Sequence, residues 1–160
     1  MKHAHHSTAR SLLCVLLLAA AAHAGAATEG STPAGVRYAS GGVSNEEQQA
    51  MRARFGQYTL RVATAAKGSG AHMAGVQAKI TDSSGKVVLE HVLDGPWLLA
   101  NLPDGRYRIE LRNPAQGAVG EKVERRDVTI TARRMTDLTV HFDTDGGSAA
   151  RPAASAPRQP

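Results

Sequence analysis

Between residues 57 and 142 apolar and polar side chains alternate one by one, and this period of two is what most restricts the fold. In YTLRVAT, Tyr58, Leu60 and Val62 share one face, and Thr59, Arg61 and Ala63 the other. VQAKITD sets Val76, Ala78 and Ile80 against Gln77, Lys79 and Thr81, and GRYRIELR sets Tyr107, Ile109 and Leu111 against Arg106, Arg108 and Glu110. DVTIT and TDLTVHF continue with Val128 and Ile130, then Leu138, Val140 and Phe142. Successive side chains of a strand point to opposite faces, so these segments read as strands with one face in a core and one in water. VVLEHV and WLLANL are apolar nearly throughout, as strands covered on both sides are. Val123 and Val128 differ in parity, which predicts a bulge near Arg125 or Arg126.

Turn chemistry punctuates the strands. In DSSGKVV, Asp82 is suited to open a turn and Gly85 to take the left-handed position at its end. In LPDGRY, Pro103 presets its own φ, and Gly105 is expected to adopt an angle that a side chain resists. Seven short strands at near-regular spacing predict an all-β fold: a seven-stranded antiparallel β-sandwich, Ig-like or prealbumin-like, over residues 57–142. Trp97, which follows Gly95-Pro96, is expected in the core, as is the ring of Tyr107, with its hydroxyl bonded to nearby backbone.

The flanks read differently. SNEEQQAMRARF opens with the S-x-x-E pattern of a capping box, Ser44 with Glu47, so a short helix is expected over 44–55. Its acids lie in the first turn and Arg52 and Arg54 in the last, which suits the helix dipole. Met51 and Phe55 would dock one face, on which so short a helix depends. Residues 27–43 are rich in Gly, Ala, Ser and Thr and read as a flexible linker. Residues 143–160, dominated by Ala, Pro, Gly and Ser, read as a disordered tail. At the other end, Lys2, three histidines and Arg10 precede an apolar run from Leu12 to Ala22 and the A-x-A sites around Ala24 and Ala26. That order is a secretory signal peptide over 1–26, too short in its apolar part to span a membrane, and it places the mature protein in the periplasm or outside the cell with no stable membrane span.

Here the folded part resembles a known family. The run GVQAKITDSSGKVVLEHVLDGPWLLANLPDGRYRIEL is similar to the carboxypeptidase regulatory-like domains, small seven-stranded sandwiches related to the transthyretin-like and collagen-adhesin B-type domains. Gly75-Val76, the TDSSGK turn, Gly95 before WLLANL and above all LPDGRYRIEL carry the likeness, over most of the folded part but not the helix or the tails. The resemblance implies a binding, spacing or folding module with no catalytic residues to transfer. Such domains often sit beside a peptidase or a transporter barrel, and this chain carries neither.

Several chemistries lack their residues. The only cysteine, Cys14, lies inside the apolar run, so the mature chain has no disulfide, thiolate nucleophile or thiolate metal site. There is no G-x-S-x-G elbow, no phosphate loop and no dinucleotide fingerprint. DTDG at 143–146 lacks the closing glutamate of a calcium loop. Nucleic acid is not expected as a partner, because the chain is exported and its few aromatics are assigned to the core. The sequence therefore reads as no enzyme and as needing no cofactor.

Two binding ideas remain. Arg61, Lys79, Arg106, Arg108 and Arg112 occupy solvent-side positions of strands and would form a basic face if those strands are neighbours. Such a face suits an envelope protein or an anionic glycan or lipid. Loss of Lys2 and Arg10 lowers the net charge from +5 to about +3, so the attraction would be local rather than global. The alternative is a periplasmic protein that binds copper or zinc. His72, Met73, His91 and His141 have the right donor atoms, though without H-x-H or H-x3-H spacing. The first expectation is a non-enzymatic interaction or accessory module of the envelope.

Overall fold

A computed structural model of the protein describes residues 27–114, 123–131 and 134–143. The expected signal peptide, Cys14 and the tail beyond Asp143 lie outside the described residues. Among the described residues nine strands are present, in the order β1 (Thr28–Ser31), β2 (Arg37–Gly41), β3 (Leu60–Ala66), β4 (Gln77–Asp82), β5 (Val87–Val92), β6 (Trp97–Ala100), β7 (Gly105–Arg112), β8 (Val123–Ile130) and β9 (Thr136–Phe142). A helix, α1 (Asn45–Arg52), and a single 3-10 turn (Phe55–Gln57) separate β2 from β3. Sheet A has the order β1-β2-β6-β3-β9 and sheet B the order β5-β4-β7-β8.

The two sheets stack face to face in a sandwich-like arrangement. Leu60, Val62, Leu98, Val140 and Phe142 from sheet A meet Ala78, Ile80, Leu89, Ile109, Leu111 and Ile130 from sheet B in one core, all at most 1% exposed. The alternation of β3, β4, β7 and β9 produces this core, because each strand sends every second residue inward. Tyr107 belongs to it and donates its hydroxyl to the carbonyl of Pro103 at 3.0 Å. That contact lies where the chain crosses from β6 in sheet A to β7 in sheet B.

A second, smaller core lies on the outer face of sheet A. Met51, Tyr58, Trp97, Leu99 and Ala39 pack together there, with Phe55 and Ala63 partly buried against them. Trp97 is thus buried between the helix and the sheet, not between the sheets. Tyr58, expected to share a face with Leu60 and Val62, precedes the strand and packs beneath the helix instead. The cap of α1 forms largely as its sequence demands: Ser44 Oγ accepts from the Glu47 amide at 3.1 Å, and Glu47 Oε2 accepts from the Val43 amide at 2.9 Å. The helical segment stops at Arg52, and Phe55 enters the 3-10 turn.

Five expectations need correction. Residues 27–43 are not a linker but carry β1 and β2, which pair with each other and extend the sheet from β6. The seven strands expected over 57–142 are there as β3–β9, but β1 and β2 bring the sandwich-like fold to nine among the described residues. The sheets are not wholly antiparallel, since β9 returns from sheet B to lie parallel to β3, from Leu60 opposite Thr136 to Ala66 opposite Phe142. The bulge expected near Arg125 or Arg126 is absent: β7 and β8 stay in register from Gly105–Ile130 to Arg112–Val123, and the shift occurs between Ile80 and Thr81 against β5. The parity change instead puts Glu124 and Arg126 at inward positions of an edge strand, where they pair at 3.1 Å. Finally, β6 is buried throughout, but β5 is an edge strand whose Val87 and Val92 are exposed.

Gly85 has φ +85°, as its turn requires, while Gly105 has no positive φ. A Cβ at Gly105 would rest 3.4 Å from the Tyr107 ring, an ordinary contact. Its flexibility is therefore not what the LPDG segment uses.

Candidate interaction face

The outer face of sheet B is solvated and charged. The Asp82 carboxylate, which accepts from Ser84 and Lys86, and Gly85 close the β4–β5 turn that pins two of its strands. The Ser84 hydroxyl bonded to it holds that carboxyl below its usual range. Strand register then lines up the side chains in rows across the sheet. One row runs Glu90, Lys79, Glu110, Arg125 from β5 to β8, and the next Val92, Gln77, Arg112, Val123. Thr81, Arg108 and Asp127 form a third, and Arg106 stands opposite Thr129 at the end of the face.

Lys79, Arg106, Arg108 and Arg112 therefore share one face, as their strand positions suggested. Arg61 does not join them. It lies on β3 in sheet A, whose neighbours are β6 and β9. Its guanidinium sits 5.2 Å from the centre of the Trp97 ring and 5.4 Å from that of Phe55, and it pairs with Asp137 at 2.6 Å. A cation between two rings on a half-covered surface fastens the 3-10 turn to the sheet. Arg52 adds a second cation 4.9 Å from Trp97.

The face is also less uniformly basic than its lysine and arginines imply. Arg108 grips Asp127 through two bonds, at 2.8 and 3.3 Å, and Arg125 reaches Glu110 at 3.0 Å. These guanidiniums hold the Asp127 and Glu110 carboxyls below the usual carboxylate range, and Asp127 in turn raises Arg108. Arg125, Glu110 and Asp127 were not singled out by the sequence, because only the register shows which charges are opposite. Lys79 and Arg106 enter no ion pair among the described residues. The rows thus carry five cations, Lys79, Arg106, Arg108, Arg112 and Arg125, against the three carboxylates Glu90, Glu110 and Asp127. A cleft of about 450 Å³ runs past Asp82, Arg106 and Arg108, and one of about 180 Å³ lies between Lys79, Glu90, Glu110 and Arg112.

No family model, curated protein or solved structure matches this chain.

The expected metal ligands do not come together as a set of four. His91 stacks at a tilt on Tyr38, with ring centres 4.7 Å apart, and lies 3.1 Å from Asp94. Met73 packs against the sandwich core. His72 and His141 flank Ala65, which bridges to His72 on one side and pairs with His141 on the other, so the two lie two strand spacings, about 10 Å, apart. His72 Nδ1 is 3.4 Å from Gln48 Nε2. No cluster of three or more His, Cys, Asp or Glu with metal-binding geometry occurs among the described residues.

Proposed function

We propose that this chain is an exported, non-enzymatic interaction or accessory module of the cell envelope, and that the outer face of sheet B meets an anionic partner there. The observation that carries this reading is the grouping of Lys79, Arg106, Arg108 and Arg112 on one solvated face where cations outnumber carboxylates. Paired charges such as Arg108–Asp127 fix the geometry of the surface, and Lys79 and Arg106, which enter no ion pair among the described residues, supply the attraction. With the excess so small, the face gives selectivity and a faster encounter more than affinity. The likeness of LPDGRYRIEL to carboxypeptidase regulatory-like, prealbumin-like sandwiches supports a binding or spacing role. Cross-linking the protein in its own envelope, at low and high salt, tests the reading. A discrete product that fades with salt and with Lys79→Glu/Arg106→Glu supports it, and a product indifferent to both contradicts it.

A second reading, metal handling, draws on the placement of His72 and His141 on either side of Ala65. Two imidazoles suit copper or zinc, with water or another molecule completing the shell. Shifts of both histidine resonances on adding Cu(II) or Zn(II), lost in His141→Ala, would favour it.

A further inference from the structure

We propose that the two edge strands of sheet B, neither of which pairs with a further strand among the described residues, are complementary, so that β5 of one copy of this chain takes β8 of a second copy as its next strand. Each step from β5 through β4 and β7 to β8 is antiparallel, so β8 runs opposite to β5 and can follow it in an antiparallel ladder. Backbone groups match as well as direction. The Leu93 amide donates to the Val76 carbonyl on the β4 side, and along an antiparallel ladder successive residues turn to alternate sides. Val88, Glu90 and Val92 therefore face outward, as the bond from Thr32 Oγ1 to the Val88 carbonyl illustrates. Carried through the in-register rows, the same alternation turns Val123, Arg125 and Asp127 of β8 outward.

The side chains choose the register. With Arg125 of the second copy opposite Glu90, the row reads Arg125, Glu110, Lys79, Glu90 and then Arg125 again, with the signs alternating without a break. Glu90 is exposed and enters no ion pair among the described residues. One pair further along, the exposed Val92 meets Val123. A two-fold pairing of β5 with itself that opposes Val88 to Val92 would instead set Glu90 against Glu90, and like charges directly opposite are destabilising. The β1–β2 turn closes the Val88 end through Thr32, so Glu90 and Val92 form the contact, with four backbone groups. Such an interface is at the weak end of the size range and acts at high local concentration. Because the two surfaces differ, the contact is head-to-tail and continues into an open chain of copies. Of the outer face it uses only the end positions of the rows, Glu90 with Arg125 and Val92 with Val123, and leaves Lys79, Arg106, Arg108 and Arg112 accessible, so it does not depend on what those residues bind.

Sedimentation velocity of the purified chain from micromolar to submillimolar concentration tests the contact. The wild type is expected to gain mass with concentration, Glu90→Arg and Arg125→Glu each to remain single copies, and an equimolar mixture of the two to associate again. A wild type that stays monomeric throughout, or an Arg125→Glu variant that associates as well as the wild type, overturns the proposal. Should the charge reversals fail to fold, Glu90→Gln and Arg125→Gln carry the same test, each lowering the association by severalfold.

Discussion

Tyr107 ties the crossing between the two sheets to itself, its hydroxyl donating to the carbonyl of Pro103 four residues back, 3.0 Å away. The ring is buried beside Ile109 and Leu111, while the hydroxyl satisfies a carbonyl in the crossover. A Tyr107→Phe variant keeps the ring and loses only the bond, so it should cost about 1 kcal/mol. Tyr107→Ala also empties the core and should cost about 3–5 kcal/mol. Urea denaturation of both variants at an unchanged slope checks the separation.

Trp97 holds α1 to sheet A, with Phe55 5.9 Å away and Arg52 and Arg61 against its ring. An eight-residue helix is not stable by itself and needs that surface. Trp97→Ala should lose about 3–5 kcal/mol and release the helix, seen as faster amide exchange over 45–52 than across β4 and β7. Uniform exchange with an unchanged denaturation midpoint would refute the second core.

Two glycines separate conformation from space. A Cβ at Gly95 would overlap the carbonyl of Gly41, a backbone atom that cannot swing aside. Gly95→Ala should therefore destabilise by about 1–3 kcal/mol or more. Gly105→Ala meets only the Tyr107 ring at ordinary distance and has no left-handed φ, so it should lie near neutral or gain about 0.4–1 kcal/mol through the unfolded chain. Thermal melts of the two alanine variants should move apart.

The carboxyls on sheet B give a pH dependence of known sign. Asp127 and Glu110 are held below their usual range by Arg108 and Arg125. A carboxyl depressed in the folded state adds stability above its unfolded value, near 4. That contribution disappears as the pH falls through the folded value. Arg108, Asp127 and Arg125 are exposed and Glu110 is only half-buried, so solvent screens both pairs, the effect on stability is small and it is better read by NMR titration. In Arg108→Gln the Asp127 carboxyl should titrate closer to its ordinary value, while Glu110, held first by its bond to Arg125, should move less.

Much of the fold was legible because it is written locally. The alternation in β3, β4, β7 and β9, the Ser44–Glu47 cap, the Asp82–Gly85 turn and the buried ring of Tyr107 each depend on residues close in sequence. What escaped depends on distant partners. The GSTPAGVRYASGG stretch has the composition of a linker, yet Ser40 accepts from the Asp94 amide at 2.9 Å, and the bare Cα of Gly95 lets the Gly41 backbone of β2 come close. The parallel return of β9 beside β3 leaves no mark in either strand. The candidate face was half legible. Strand parity brought Lys79, Arg106, Arg108 and Arg112 to one side, but only topology removes Arg61, and only register pairs Arg108 with Asp127 and Arg125 with Glu110.

The most direct test of the interaction face is an amide-resolved NMR titration of the chain with a soluble polyanionic oligosaccharide at low and high salt. Shifts grouped on Lys79, Arg106, Arg108 and Arg112, disappearing at high salt, are the predicted result. Shifts elsewhere in the fold, or none at low salt, would contradict the assignment of that face to an anionic partner.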